Sequence, residues 1–170
     1  YSPSAYYLSG IISSTILMMF YPVISGSISF HFLEFNDSSW SNFFFWMSLL
    51  VIQAIQGSFY GFMFGIISSN EEEGINWLQY TDMVFLFGSG IYVNLKTANA
   101  FIKFLGYVSP FRYTIEPMMR SLLKGLPYVD DITDHYDFTF KEQAVPISIY
   151  IAVGIFILGW IIIIQKSKQM

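Results

Sequence analysis

Residues 109–126 read SPFRYTIEPMMRSLLKGL and stand between two long apolar runs. Arg112, Glu116, Arg120 and Lys124 recur every four residues, with Phe111, Ile115, Met118, Met119, Leu122 and Leu123 between them. That period gathers charges on one face of a helix and apolar groups on the other. The stretch carries too many charges to cross a membrane and too much apolar surface for a solvated loop. It predicts an interfacial helix, with Arg112 and Glu116 as an i, i+4 structural pair that neutralise each other at the boundary.

The rest of the chain supplies the membrane. Of 170 residues, 54% are hydrophobic, 20% aromatic and only 12% charged, which excludes an ordinary soluble domain. Charge-poor intervals of the length a bilayer requires occur at about 7–33, opened by Ser2 and Pro3, and at 40–69, 75–95 and 144–164. The expected fold is all-α: a polytopic membrane protein with four transmembrane helices, plus re-entrant or interfacial helices and a cap over 96–143 before the last span.

Four crossings put both ends on one side, and Lys166 with Lys168 assigns that side to the cytosol. The turn FNDSSW at 35–40 and the 96–143 connection then lie outside. Six of the eight Lys and Arg residues lie outside with them, against the usual charge bias. The glycan-acceptor triplet Asn36-Asp37-Ser38 falls in the outer turn and favours the orientation chosen.

Several classes are excluded. The chain has no cysteine, so it has neither disulfides nor thiolate metal sites. His31 and His135 lie in different segments without ligand spacing, and no metal site is expected. A net charge of -4 with no basic stretch argues against a nucleic-acid partner. No phosphate-binding glycine loop followed by Lys and Ser or Thr occurs, so no nucleotide or catalytic site is expected in this segment. LSG at 8–10 is followed by Ile11 and Ile12, which do not continue a nucleotide-signature motif. Tyr1 opens the sequence without Met or a basic leader, which reads as a piece of a longer protein.

Three features within the spans bear on function. Gly57, Gly61 and Gly65 in GSFYGFMFG form a doubled small-xxx-small face, a helix-packing seam that is either static or set between mobile bundles. Asp82 is the one acid inside a span, either a polar site on a water-filled path or a side chain that reaches water near the helix end. In FLFGSGIYVNL, residues 85–95, Gly88 and Gly90 loosen a helix just before bulky Ile91 and Tyr92. That suits a constriction on a movable helix, or close packing around small residues. NEEEG at 70–74 reads as a solvated turn that caps the following helix.

YSPSAYYLSGII (1–12), FGSGIYVNL (87–95) and YVSPFRYTIEPMM (107–119), in this order and spacing, resemble the membrane domain of the ABCG, or White, subfamily of ATP-binding cassette half-transporters. The likeness covers nearly the whole chain and is most specific over 85–126. It implies the C-terminal half of an ABC type-two membrane domain, whose four runs are the third to sixth of six helices. It places ATP and Mg on a nucleotide-binding domain in the missing N-terminal part, with no cofactor in this segment.

The resemblance further implies a homo- or heterodimer of half-transporters, in the plasma membrane or an internal membrane, exporting lipid, sterol or an amphipathic xenobiotic. Met83, Leu86, Gly90, Ile91 and Tyr92 would line or plug a cavity at the dimer axis, and residues 110–116 match the family's re-entrant element. Gly10 departs from the basic residue often found there, and the cap at 125–143 lacks the cysteines many members have. The alternative from another class is an ATP-independent channel, with Asp82 as its sole pore acid, or a structural membrane subunit.

Overall fold

The computed structural model describes residues 2–32, 39–140 and 143–168, and its regular secondary structure there is helical. The helices are α1 (Pro3–Phe32), α2 (Trp40–Ile67), α3 (Glu71–Gly88), α4 (Ala100–Val108), α5 (Pro110–Leu122), α6 (Val129–His135) and α7 (Ala144–Ser167). Their starts are written in the sequence as side-chain caps. Ser39 Oγ accepts from the Asn42 N–H, Asn70 Oδ1 from Glu73 and Asn99 Oδ1 from Ile102. Leu33 and Asn36, the expected end of the first span and the acceptor site, lie outside the described residues.

Among the described residues three helices are long and apolar enough to cross a membrane: α1 with 30 residues, α2 with 28 and α7 with 24. A rise of about 1.5 Å per residue lets each exceed a hydrocarbon core of about 30 Å. The fourth expected span does not meet that standard. α3 has 18 residues, its first turn carries Glu71, Glu72 and Glu73, and Asp82 further dilutes its apolar run. It also stops at Gly88 rather than at Leu95, because Gly90 adopts φ +91°, a left-handed conformation that ends the helix. α2 and α3 are joined through Ser68–Asn70 as the expected antiparallel hairpin. Glu73 Oε2 accepts from the Ser69 backbone N–H at 2.8 Å. That bond, with a further one from the Trp77 side chain, holds the Glu73 carboxyl below the usual carboxylate range.

Two clusters tie the long helices together. At one end Tyr7, Ile11 and Ile163 are buried against Phe59, Phe62 and Phe156. Tyr7 lies over Gly159, where any Cβ would collide with its hydroxyl, and donates to the Phe156 carbonyl at 3.1 Å. At the other end Trp46 and Met47 meet Phe30, Phe43, Met118 and Leu122, docking both α1 and α5 on α2.

Along the same helix, α2, runs a polar stripe that sequence reading overlooked. Asn42 Nδ2 donates to the Ser121 carbonyl at 3.3 Å, and Ser121 Oγ returns a bond to Asn42 Oδ1 at 2.5 Å. Thr114 Oγ1 donates to Gln53 Oε1 at 2.6 Å, and Gln56 Nε2 donates to the Ser148 carbonyl and hydroxyl at 2.7 and 2.9 Å. Such bonds between helices in a membrane contribute about 0.6 to 1.7 kcal/mol each, and their directionality fixes the rotation of α2 about its axis.

Candidate functional site

α4, α5 and α6 gather where α2 and α7 begin, and form a cap end. The amphipathic helix expected over 109–126 is α5, opened by Pro110 at its first position. Its charged face, however, is turned into the protein: the Arg112 side chain is 1% exposed and that of Glu116 is 0%. The pairing is also redistributed. Arg112 Nη2 donates to the Asp137 carbonyl at 2.6 Å and lies 3.6 Å from the Asp137 carboxylate, while Glu116 Oε1 lies 3.5 Å from Arg120 Nε.

Helix direction explains the change. An acid is better placed four residues before a base than after it, which favours Glu116 with Arg120. A cation in the first turn of α5 meets the positive end of the helix dipole, so Arg112 turns to carbonyl and carboxylate oxygens outside the helix. The guanidinium is further held between the rings of Tyr107 and Phe140, at 5.3 and 5.0 Å from their centroids. Arg120 Nη2 in turn donates to the Phe138 carbonyl at 2.6 Å, so two arginines of α5 hold the segment that follows α6.

α3 delivers the proposed plug positions to the same end. Met83 is 60% exposed, Ile91 46% and Tyr92 66%, all turned away from this chain's interior, with Leu86 partly buried. Gly88 and Gly106 mark the crossing of α3 and α4. A Cβ on Gly88 would lie 2.9 Å from the Leu105 carbonyl, and one on Gly106 would lie 3.1 Å from the Gly88 carbonyl oxygen. Ser109 Oγ closes the crossing by donating to the Phe85 carbonyl at 2.6 Å. The glycines of the 85–95 stretch thus permit a contact within one chain, and Gly90 is covered by Phe138 and Leu95. The turn after it is pinned to α6, since Lys96 Nζ meets Asp134 Oδ2 at 3.0 Å and Asn94 Nδ2 lies 3.3 Å from His135 Nε2.

Asp82 lies exposed on α3, one residue before Met83. Among the described residues nothing packs on Gly57, Gly61 and Gly65: apart from the helix's own backbone, a Cβ on any of them would meet no atom within 4 Å. They line a groove of about 870 Å³ that also borders Met18 of α1 and Lys166 of α7. The polar stripe turns toward α5 and α7 and leaves the glycine face of α2 open. A second cavity, of about 1000 Å³, lies among α2, α5, α6 and the start of α7. Among the described residues no group of His, Asp and Glu could hold a metal ion.

The pattern is that of a membrane-embedded helical domain with a folded cap and no catalytic constellation among the described residues. No curated protein matches the chain. The ABC-2 type transporter family, through its membrane domain, matches residues 1–123, the stretch that holds α1 to α5. With more than two thirds of the chain inside that match, this integral, multi-pass membrane protein belongs to the ABC-2 type transporter family.

Proposed function

We propose that the chain is part of the permease of an ABCG-type exporter that dimerises and moves a lipid, sterol or amphipathic xenobiotic, using ATP and Mg bound by a separate nucleotide-binding domain. The family membership carries the reading: an ABC-2 membrane domain is a permease component. The exposed face of α3 and its following turn supports the finer part. Met83, Ile91 and Tyr92 present apolar and aromatic surface that this chain does not cover, as a path or closure shared with a second half-transporter requires. α3 is the third and shortest of four spans in this reading, and α4 with α5 is the re-entrant element. Alternating access then consists of parting Ile91 and Tyr92 from their counterparts once per cycle.

Reconstitution of the full-length protein in liposomes tests this. ATP hydrolysis that vanadate inhibits, and that phospholipid or sterol stimulates, is the expected result. Solute flux without ATP would mark a channel, and neither flux nor ATPase would mark a structural subunit; either outcome overturns the proposal.

A further inference from the structure

Asp82 is the one charged residue of α3 beyond its acidic first turn, it is exposed, and neither the packing of the bundle nor the closure at Ile91 and Tyr92 uses it. Its depth decides what it can do. At about 1.5 Å per residue it stands roughly 16 Å along the helix from Glu71 and roughly 9 Å short of Gly88. With α3 taken as a span, the transport reading on which this inference rests, Asp82 lies inside the hydrocarbon core from either side, and its short side chain does not reach water at the helix ends. An acid so placed needs a partner or a polar path.

The chain supplies no such partner. Among the described residues no Lys or Arg pairs with Asp82, and no hydrogen bond reaches its carboxylate. Lys96, Arg112 and Arg120 are held in the cap, and Lys166 donates to the Ile66 carbonyl at the opposite end. A second copy of the chain, meeting this one along α3, would bring a second Asp82 and add to the negative charge. What surrounds the acid is aromatic. Tyr60 of α2 stands close enough to sense its charge, and the ring of Tyr60 lies 5.5 Å from that of Phe85, three residues along α3 from Asp82. Phe87 and Tyr92, both exposed, form a second ring pair at 6.1 Å.

We propose that Asp82 selects the cargo: the path takes an amphipathic monocation, an alkyl- or arylammonium, with its charge on the Asp82 carboxylate against Tyr60 and Phe85 and its apolar body along Met83 toward Phe87 and Tyr92. A carboxylate and aromatic faces together suit an ammonium that has left water, since both attract it. A sterol or another neutral amphiphile would leave the carboxylate without a counter-charge in an apolar site, an unfavourable state that selects against it. A phospholipid would bring its phosphate to the same acid. Of the cargo classes named above, the cationic amphiphiles remain.

The full-length protein, without nucleotide and in phosphatidylcholine nanodiscs, is titrated with radiolabelled decyltrimethylammonium and with its neutral isostere, in which carbon replaces nitrogen; empty nanodiscs are subtracted. The cation should bind at least about tenfold more tightly than the isostere, and tetramethylammonium, the head without the tail, should compete at least about a hundredfold less well. Asp82→Asn should bring cation and isostere within about twofold of each other, and Asp82→Glu should keep most of the preference, both at unchanged melting temperature. On the unmodified protein, an arylammonium with a photoreactive group should label peptides covering 78–92. Lys103→Gln, and Lys141→Gln outside the described residues, should leave binding unchanged; a gain in either shows that the lysine neutralises Asp82 and overturns the proposal. Equal binding of the isostere, a preference that Asp82→Asn retains, competition by tetramethylammonium at par, or labelling confined to other segments overturns it too. Because binding needs no nucleotide, the two readings fail separately: an intact preference without ATP-driven export keeps the site and overturns the permease, and lipid-stimulated ATPase without the preference does the reverse.

Discussion

Arg112→Ala should be the most damaging single truncation in the cap. The side chain is 1% exposed, gives a charged hydrogen bond to the Asp137 carbonyl at 2.6 Å, and stacks against Tyr107 and Phe140. A hydrogen bond from a charged group contributes about 1.5–3 kcal/mol, and a partly desolvated cation–π contact about 0.5–2. Because the three share one guanidinium they do not add fully, and a loss of about 3–5 kcal/mol is the working figure. At roughly 2–4 °C per kcal/mol for a chain of this size, the melting midpoint should fall by roughly 6–20 °C.

Purified full-length protein followed by tyrosine and tryptophan fluorescence measures this. Hydrogen exchange should accelerate in peptides covering 104–116 and 136–140, and not at the opposite end around Tyr7. Arg112→Lys keeps the charge but loses the planar fork, and should fall between the two. The decisive variant is the exchange Arg112→Glu with Glu116→Arg. A simple i, i+4 pair would recover stability on exchange, whereas here a carboxylate at 112 would face the Asp137 carbonyl and carboxylate, so the exchange should be at least as unstable as Arg112→Ala. Recovery by the exchange, or a loss under about 1 kcal/mol for Arg112→Ala, would refute the argument.

Gly90→Ala forces a side chain onto φ +91° and within 3.1 Å of Phe138, so it should cost about 1–2 kcal/mol by thermal unfolding, and an unchanged midpoint would remove the turn from the account. Trimming Ile91 and Tyr92 to Ala together should leave assembly intact while raising basal ATP turnover and altering export; wild-type behaviour in both assays refutes the closure. For Gln56 and Ser148, a double-mutant cycle to Leu and Ala should give a coupling of about 0.6–1.7 kcal/mol, and zero coupling denies the bond its weight. Since the Glu73 carboxyl is held low by the Ser69 N–H, its contribution to the α2–α3 turn is present above the unfolded carboxylate range and lost as pH falls through the folded value. The protection factor of the Ser69 amide, its exchange rate taken relative to the unprotected rate at the same pH, should therefore fall on acidification in the wild type, and Glu73→Gln should remove that dependence.

What the sequence made legible followed from local rules. Runs without charge announced α1, α2 and α7, and the four-residue charge period announced α5. Gly-Ser-Gly marked a weak point in α3 but not that the helix would stop there, because the left-handed Gly90 is fixed by Phe138, a residue of the cap. The i, i+4 rule reads partners along one helix, and so proposed Glu116 for Arg112; Asp137 is remote in sequence and reaches it only through the fold. In the same way the spacing of Gly57, Gly61 and Gly65 revealed a smooth face but not that it would be left open. The orientation of α2 is set by Asn42, Gln53 and Gln56, whose partners Ser121, Thr114 and Ser148 lie on other elements. Gly106 escaped notice because its reasons, a close approach to the Gly88 carbonyl and to the Arg112 guanidinium, arise only in the fold.

The polar stripe of α2 also sets a timetable for synthesis. Gln53 and Gln56 enter the membrane 61 and 92 residues ahead of Thr114 and Ser148. At about 5–20 residues per second, their partners arrive roughly 3–18 s later. Throughout that interval a newly inserted α2 displays amides with nothing in lipid to bond to, and the ribosome is still building the helices that will satisfy them. The bundle is therefore most vulnerable before its last third exists, and a substitution in α5 or α7 that delays docking exposes α2 to membrane quality control even where the finished fold would tolerate it.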